Sequence, residues 1–332
     1  MRYLIICLLT VVLTGCEQLL LNENSNDYNY ADFEKTWETV DEIYPFLEFK
    51  QIDWDEVYNQ YRPRAEAADG DEIYMVLSDM LALLKDGHVG LRTEGNDYVK
   101  VYTPPRTERD KEAFAPLVVR KYFSGPLLLD SNKTLEYGLT DSNVAYLRIA
   151  TFSNGSWTRS NLRKAIVYLS GAKGLIIDVR NNSGGSSRMV KKVLERILTG
   201  PIPDLPVRTS GRWNDPCYIR PSTDGLTFTK PLVMLMNGTC FSATEGFLAL
   251  ATRMERTVLL GDTTAGGSSA PETFPLPSGK RIRISTKYIC RPDSTPIEWN
   301  GIVPDIRIPQ TEQDIREGRD KQLESALEYL EQ

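Results

Sequence analysis

The 332 residues contain a single histidine, His88, in Asp86-Gly87-His88-Val89, directly after an amphipathic helical run. Imidazole is the usual general base at neutral pH, because its ordinary pKa lies near the working range. Any histidine-based proton transfer must therefore pass through this one residue. Alone, it would read as a histidine satisfied at a helix end. Three downstream segments give it company. In Met236-Asn237-Gly238-Thr239-Cys240-Phe241-Ser242-Ala243-Thr244-Glu245 a buried strand ends in a glycine-bearing turn, and Ser242 stands at the head of the next helix. Unpaired amides and the positive end of the helix dipole favour an oxyanion there, with the N–H of Ala243 as a natural donor. The bland reading is that Ser242 only caps the helix, with Glu245 completing a capping box. In Ile176-Ile177-Asp178-Val179-Arg180-Asn181-Asn182-Ser183-Gly184-Gly185, glycines let the backbone turn its amides toward a carbonyl or anion. Neither dinucleotide nor P-loop spacing is present, which disfavours phosphate. The third segment, Pro296-Ile297-Glu298-Trp299-Asn300-Gly301, places a carboxylate, Glu298, between an apolar run and a Gly/Pro-rich exit.

These residues need a scaffold. Residues 31–92 read as a helical module, with Phe33, Trp37, Val40, Ile43 and Tyr44 and then Ile73, Val76, Leu77, Met80, Leu81 and Leu84 at three-to-four spacing. Residues 93–142 are Pro- and charge-rich and read as short connecting strands and loops. From 143 to 332 strands and helices alternate, predicting an α/β core closed by a C-terminal helix. A hairpin is expected around Pro277-Ser278-Gly279, with Lys280 on its solvated face.

In this order the segments resemble the tail-specific, or C-terminal processing, serine peptidases, and most of all the branch typified by the tricorn protease core. The resemblance spans about residues 60–308. It rests on the Asp-Gly-His-Val turn, the Asp-x-Arg-Asn-Asn-x-Gly-Gly loop, the Ser-Ala-x-Glu helix start, Gly261–Gly266 (Gly-Asp-x-Thr-x-Gly) and Gly301–Asp305 (Gly-Ile-x-Pro-Asp). It implies a ClpP/crotonase-like spiral of strand–strand–helix units and a serine-type endopeptidase acting on peptide or unfolded protein without a cofactor. Processing peptidases carry a dyad lysine after the glycine of the Thr-x-Gly segment. Here that position is Gly267, so the resemblance implies the tricorn-like arrangement instead: Ser242 as nucleophile, His88 as base, Glu298 orienting it directly or through a bridging hydroxyl. Ala243 with Gly184 or Gly185 would form the oxyanion hole. The rival from another class is a non-catalytic ligand- or peptide-binding lipoprotein on the same fold. A thiol hydrolase using Cys240 is a weaker third, since that residue precedes the helix start.

Residues 1–15 read as a lipoprotein signal peptide: Arg2, an apolar run over Leu4 to Leu13, then Leu13-Thr14-Gly15-Cys16, with Cys16 lipidated. Residues 16–30 read as a polar tether, placing the protein in a bacterial cell envelope, on the periplasmic side or cell surface. Losing residues 1–15 removes Arg2 and no acid, so the net charge goes from −6 to −7. An acidic chain with no basic block argues against nucleic acid. Beyond Cys16 only Cys217, Cys240 and Cys290 remain, an odd number matching no zinc pattern, so no metal is expected.

Overall fold

The computed structural model describes residues 25–92, 97–209 and 211–331. The expected signal peptide and Cys16 lie outside them. Two sheets carry the fold. The larger has seven strands, in the order Ile306–Arg307, Thr257–Gly261, Leu232–Met236, Gly174–Asp178, Val144–Ile149, Leu135–Leu139 and Leu128–Leu129. The first five run parallel and the last two pair antiparallel on the edge. Gly174–Asp178 and Leu232–Met236 are buried at every position. That is why they read as unbroken apolar runs, as strands covered on both faces do. Helices pack against the sheet. In Arg159–Leu169 the apolar stripe Leu162, Ala165, Ile166 and Leu169 is buried, and a Thr158–Asn161 capping box sets the start. Each of the leucine and isoleucine side chains in that stripe stabilises the fold by about 1.5–3 kcal/mol.

The second sheet is built on the long strand Arg281–Ile289. It pairs with Ser269–Pro275 as an antiparallel hairpin, and with Gly90–Arg92 and Val207–Thr209 near its two ends. The N-terminal helices Ser25–Ile43, Leu47–Lys50, Trp54–Ala67 and Glu72–Ala82 share one hydrophobic cluster with this hairpin, including Ile282, Ile284 and Tyr288. The α/β core and the N-terminal helical module expected from the sequence are thus both present. No helix among the described residues is long and apolar enough to cross a membrane.

Three local expectations are corrected. The first helix begins at Ser25, inside the span read as tether, and buried Asn29 donates its amide to the carbonyls of Ala68 and Gly70 at 3.3 and 3.0 Å. The 93–142 stretch holds two short helices, Pro105–Asp110 and Pro116–Val119, each with proline in its first turn, where its missing N–H costs nothing. Lys280 is buried rather than solvated, its ammonium 4.6 Å above the Tyr74 ring of the helical module.

Candidate active site

Ser242 follows the buried strand Leu232–Met236 and caps the helix Ala243–Ala251 with φ 57° and ψ −121°. A non-glycine residue with positive φ persists only where its surroundings over-determine it. Here Glu245 does so. Its fully buried carboxylate accepts from the N–H of Ser242 (3.0 Å), of Gly266 and of Gly267 (both 2.8 Å), and from the Thr264 hydroxyl at 2.5 Å. The Ser242 N–H also donates to the Gly267 carbonyl at 3.0 Å. Burial pushes the Glu245 carboxyl up to about 7 against the pull of those four donors. Glu245 therefore does more than complete a capping box: it fastens the Ser242 turn to the Gly266-Gly267 turn.

The Gly184-Gly185 loop lies against the same turn. A methyl group on Gly184 would sit 2.7 Å from the Phe241 carbonyl and 2.9 Å from Ser242 Cβ, so only glycine allows this approach. The two glycines expected as oxyanion donors differ in their hydrogen bonding. Gly184 already donates its N–H to Asn182 Oδ1 at 2.9 Å in an Asx turn, so that amide is engaged. Gly185 differs: the pairing of its loop with Phe152 uses the Gly184 carbonyl and the Ser186 N–H. Gly185 and Ala243 both line the cleft beside Ser242.

His88 arrives from the helical module through the Asp86-Gly87-His88 turn, in which Asp86 Oδ1 accepts the His88 N–H at 2.7 Å. The imidazole is buried and stacks on Phe241, with ring centroids 4.4 Å apart and planes inclined by 25°. Phe241 lies in a slot bordered by Gly87 and Gly267, where added methyl groups would meet its ring at 2.9 and 1.8 Å. Both imidazole nitrogens are buried without a hydrogen-bond partner, so the direct bond to Ser242 that triad chemistry uses is not formed here.

Glu298 is 1 % exposed and makes no hydrogen bond to the imidazole. Its Oε1 binds Lys50 Nζ at 2.7 Å and its Oε2 accepts from the Ser268 N–H at 3.3 Å. Burial and the nearby Asp86 charge push the Glu298 carboxyl up to about 8, against the pull of Lys50. The carboxylate beside the imidazole is instead Asp86, 3.7 Å from Nδ1. Its other oxygen accepts from Tyr44 (3.2 Å) and Ser285 (2.7 Å). Burial alone would raise the Asp86 carboxyl, but the His88 side chain and Lys50 outweigh it and hold it well below the usual carboxylate range. Asp86 and Lys50 are the residues sequence reasoning missed. The Asp-Gly-His spacing, which suits an Asx turn, was the available signal for the first; nothing local signalled the second. Cys240 is fully buried and burial pushes its thiol far up, leaving it unsuited to be a nucleophile. No group of side chains among the described residues could hold a metal ion.

An α/β core that presents a serine at a strained helix head, with Gly185 and Ala243 lining the cleft beside it and an imidazole stacked on the preceding Phe241, has the architecture of the serine peptidases built on strand–strand–helix units. The family model for peptidase family S41 matches residues 143–308, and that for the tricorn protease C1 domain matches residues 29–82; the chain belongs to peptidase family S41. It is 29% identical over 186 residues to the carboxy-terminal-processing protease of Bartonella bacilliformis, a match covering 54% of this chain and 41% of that one. With the carboxy-terminal processing protease CtpB of Bacillus subtilis the identity is 23% over 249 residues, 74% of this chain and 50% of the relative. The chain thus spans half or less of the length of these curated relatives. Among solved structures, a candidate peptidase from Parabacteroides merdae superposes with a TM-score of 0.80 at 28% identity, covering 91% of this chain and 96% of that one. Mature CPAF shares the fold, with a TM-score of 0.69 at 15% identity over 92% of this chain and 96% of its own.

Proposed function

We propose that the protein is a lipid-anchored serine endopeptidase of the bacterial cell envelope, acting on peptide or unfolded protein through Ser242 and His88. The observation that carries this reading is the strained Ser242 turn, held by four donors to a buried carboxylate and flanked by the Ala243 and Gly185 amides. A binding protein has no need to hold a serine in that conformation. In the proposed reaction Ser242 Oγ attacks the scissile carbonyl carbon as His88 takes its proton. The amides of Ala243 and Gly185 receive the oxyanion, each worth on the order of 3 kcal/mol of barrier. The C–N bond then breaks, the imidazolium returns its proton to the leaving amine, and water hydrolyses the acyl-enzyme by the same route. Catalytic hydrogen bonds often tighten only in the substrate complex, so the Ser242–His88 bond is one that substrate binding completes.

Two carboxylates serve the imidazole in this scheme. Asp86 faces Nδ1, and Glu298 acts from further back, with Ser268 as the bridging hydroxyl. The Ser268 N–H already lies on Glu298, and its buried Oγ has no partner. A fluorophosphonate probe tests the reading. It should label the protein at Ser242; Ser242→Ala should abolish labelling and His88→Ala should slow it by orders of magnitude. A chain that never labels, yet binds peptide in the cleft, would belong to the non-catalytic alternative. The anchor is tested separately: Cys16→Ser should release the protein from the detergent phase, and unchanged partitioning would refute lipidation.

A further inference from the structure

The short helix Pro105–Asp110 is fixed to the turn that leads into Ser242. The Gly238 N–H donates to Asp110 Oδ2 at 2.6 Å, and the Thr107 hydroxyl donates to the Gly238 carbonyl at 3.1 Å. A methyl group on Gly238 would lie 2.6 Å from the Arg106 carbonyl, so the helix rests directly on that turn. From this footing the Arg106 side chain reaches two other loops. Its Nη1 donates to the carbonyls of Thr264 and Trp299 (both 3.0 Å) and, more weakly, of Asn300 (3.4 Å). Three carbonyl oxygens around one point repel one another unless a cation stands between them, and charge-assisted hydrogen bonds are the stronger kind. Gly301 lets the turn close onto the guanidinium: a methyl group there would come within 2.5 Å of the Thr264 carbonyl and 3.1 Å of Arg106 Nη1.

The two loops serve different halves of the site. The Thr264 hydroxyl donates to Glu245, the carboxylate that fastens the Ser242 turn. The Trp299 turn faces the helical module instead. Glu298 binds Lys50 there, the Trp299 indole N–H donates to the Lys85 carbonyl at 3.3 Å, and the Trp299 and Phe49 rings lie 6.0 Å apart. Lys85 directly precedes Asp86-Gly87-His88. Trp299 itself has φ 63°, a conformation that its surroundings must hold.

Resting on the serine-peptidase reading above, we infer that Arg106 is a positioning residue: by clipping the Trp299 turn to the Thr264 loop, it sets where the His88 module stands against Ser242. Arg106 does not line the cleft beside Ser242, so its effect falls on geometry and not on occupancy of that cleft.

Two independent readouts test this. Fluorophosphonate labelling, resolved into a limiting rate and a half-saturating concentration, reads chemistry. Arg106→Met should lower the limiting rate roughly 100-fold, the cost of about an ångström of misplacement, and leave half-saturation within about twofold. Arg106→Lys should recover most of that rate, because an ammonium has three donors for the three carbonyls. Arg106→Gln, neutral and short, should behave like Arg106→Met and stands in for it if methionine prevents folding. NMR of the imidazole needs no chemistry. His88 is the only histidine, and its ring protons feel the Phe241 ring stacked 4.4 Å away on the Ser242 side. Arg106→Met should move those signals, and Arg106→Lys should return them. A normal limiting rate in Arg106→Met, a lysine variant no better than methionine, or imidazole signals unmoved in both overturns the inference. A chain that never labels, yet whose imidazole signals move with methionine and return with lysine, would remove the serine chemistry and leave the clip standing.

Discussion

Replacing Lys50 by methionine probes the contact through which the helical module reaches the site. Lys50 and Glu298 side chains are 0% and 1% exposed, and the ammonium also donates to the Leu84 carbonyl (2.8 Å), the Tyr44 hydroxyl (2.9 Å) and the Lys85 carbonyl (3.3 Å). Methionine fills similar volume but leaves Glu298 buried beside Asp86 with no counter-charge. Removing one partner of such a pair typically costs about 3–5 kcal/mol, because the remaining charge is uncompensated. With a urea slope of roughly 2–3 kcal/mol per molar, the midpoint should fall by about 1–2.5 M. The cost should also depend on pH. Glu298 is already pushed up to about 8, and without Lys50 its carboxyl moves higher still. Protonation therefore relieves the variant more fully at pH 6 than at pH 9. Lys50→Met/Glu298→Gln should recover most of the loss, since a neutral amide needs no cation. Urea titrations of the single and double variants at both pH values measure all of this. A midpoint shift under about 0.3 M at pH 9, or additive single and double effects, would refute the claim that this pair holds module and core together.

Two further outcomes follow from the buried groups around the site. Glu298 and Glu245 are raised from 4.5 to about 8 and about 7 in the folded chain. An acid raised on folding binds more protons folded than unfolded, so its contribution is fully present at low pH and is lost as pH rises. The urea midpoint should therefore decline between pH 5 and pH 8, and Glu298→Gln should flatten the decline; an equal slope in that variant would contradict it. Gly267→Ala should drive the Phe241 ring out of its slot and away from His88, because its methyl would meet that ring at 1.8 Å. Fluorophosphonate labelling should fall at least tenfold, and adding Phe241→Ala should restore part of it; a Gly267→Ala chain that labels normally would show that the slot does not position the imidazole.

The residues gathered at the site were legible where chemistry coincides with local backbone. Ser242 after a buried strand, the Gly-Gly turn and the Asp-Gly-His turn are each determined within a few residues, and the sequence shows them. What depended on distant partners was not legible. Glu298 in its own segment looks like any carboxylate between an apolar run and a turn; its Lys50 partner lies 248 residues away in another element. Lys280 read as solvated because alternation along a hairpin does not reveal that Tyr74 covers one face. Gly184 and Gly185 are indistinguishable as letters, and only the Asn182 side chain decides which amide is left available. The two short helices at Pro105 and Pro116 did carry a signal, proline at a helix start, which the surrounding charge and proline content obscured.

His88, Asp86 and Lys50 belong to the body formed by the N-terminal helices and the hairpin, whereas Ser242, Ala243 and Gly185 belong to the parallel-sheet body. Neither body alone holds both halves of the proposed acyl-transfer site, so the Ser242–His88 separation is a property of the seam between them. A few ångströms of slip there would silence the chemistry while leaving both hydrophobic cores intact. On the proposed peptidase reading, that separates two things single-core enzymes must trade against each other: a fold that survives, and an activity set by how two bodies meet.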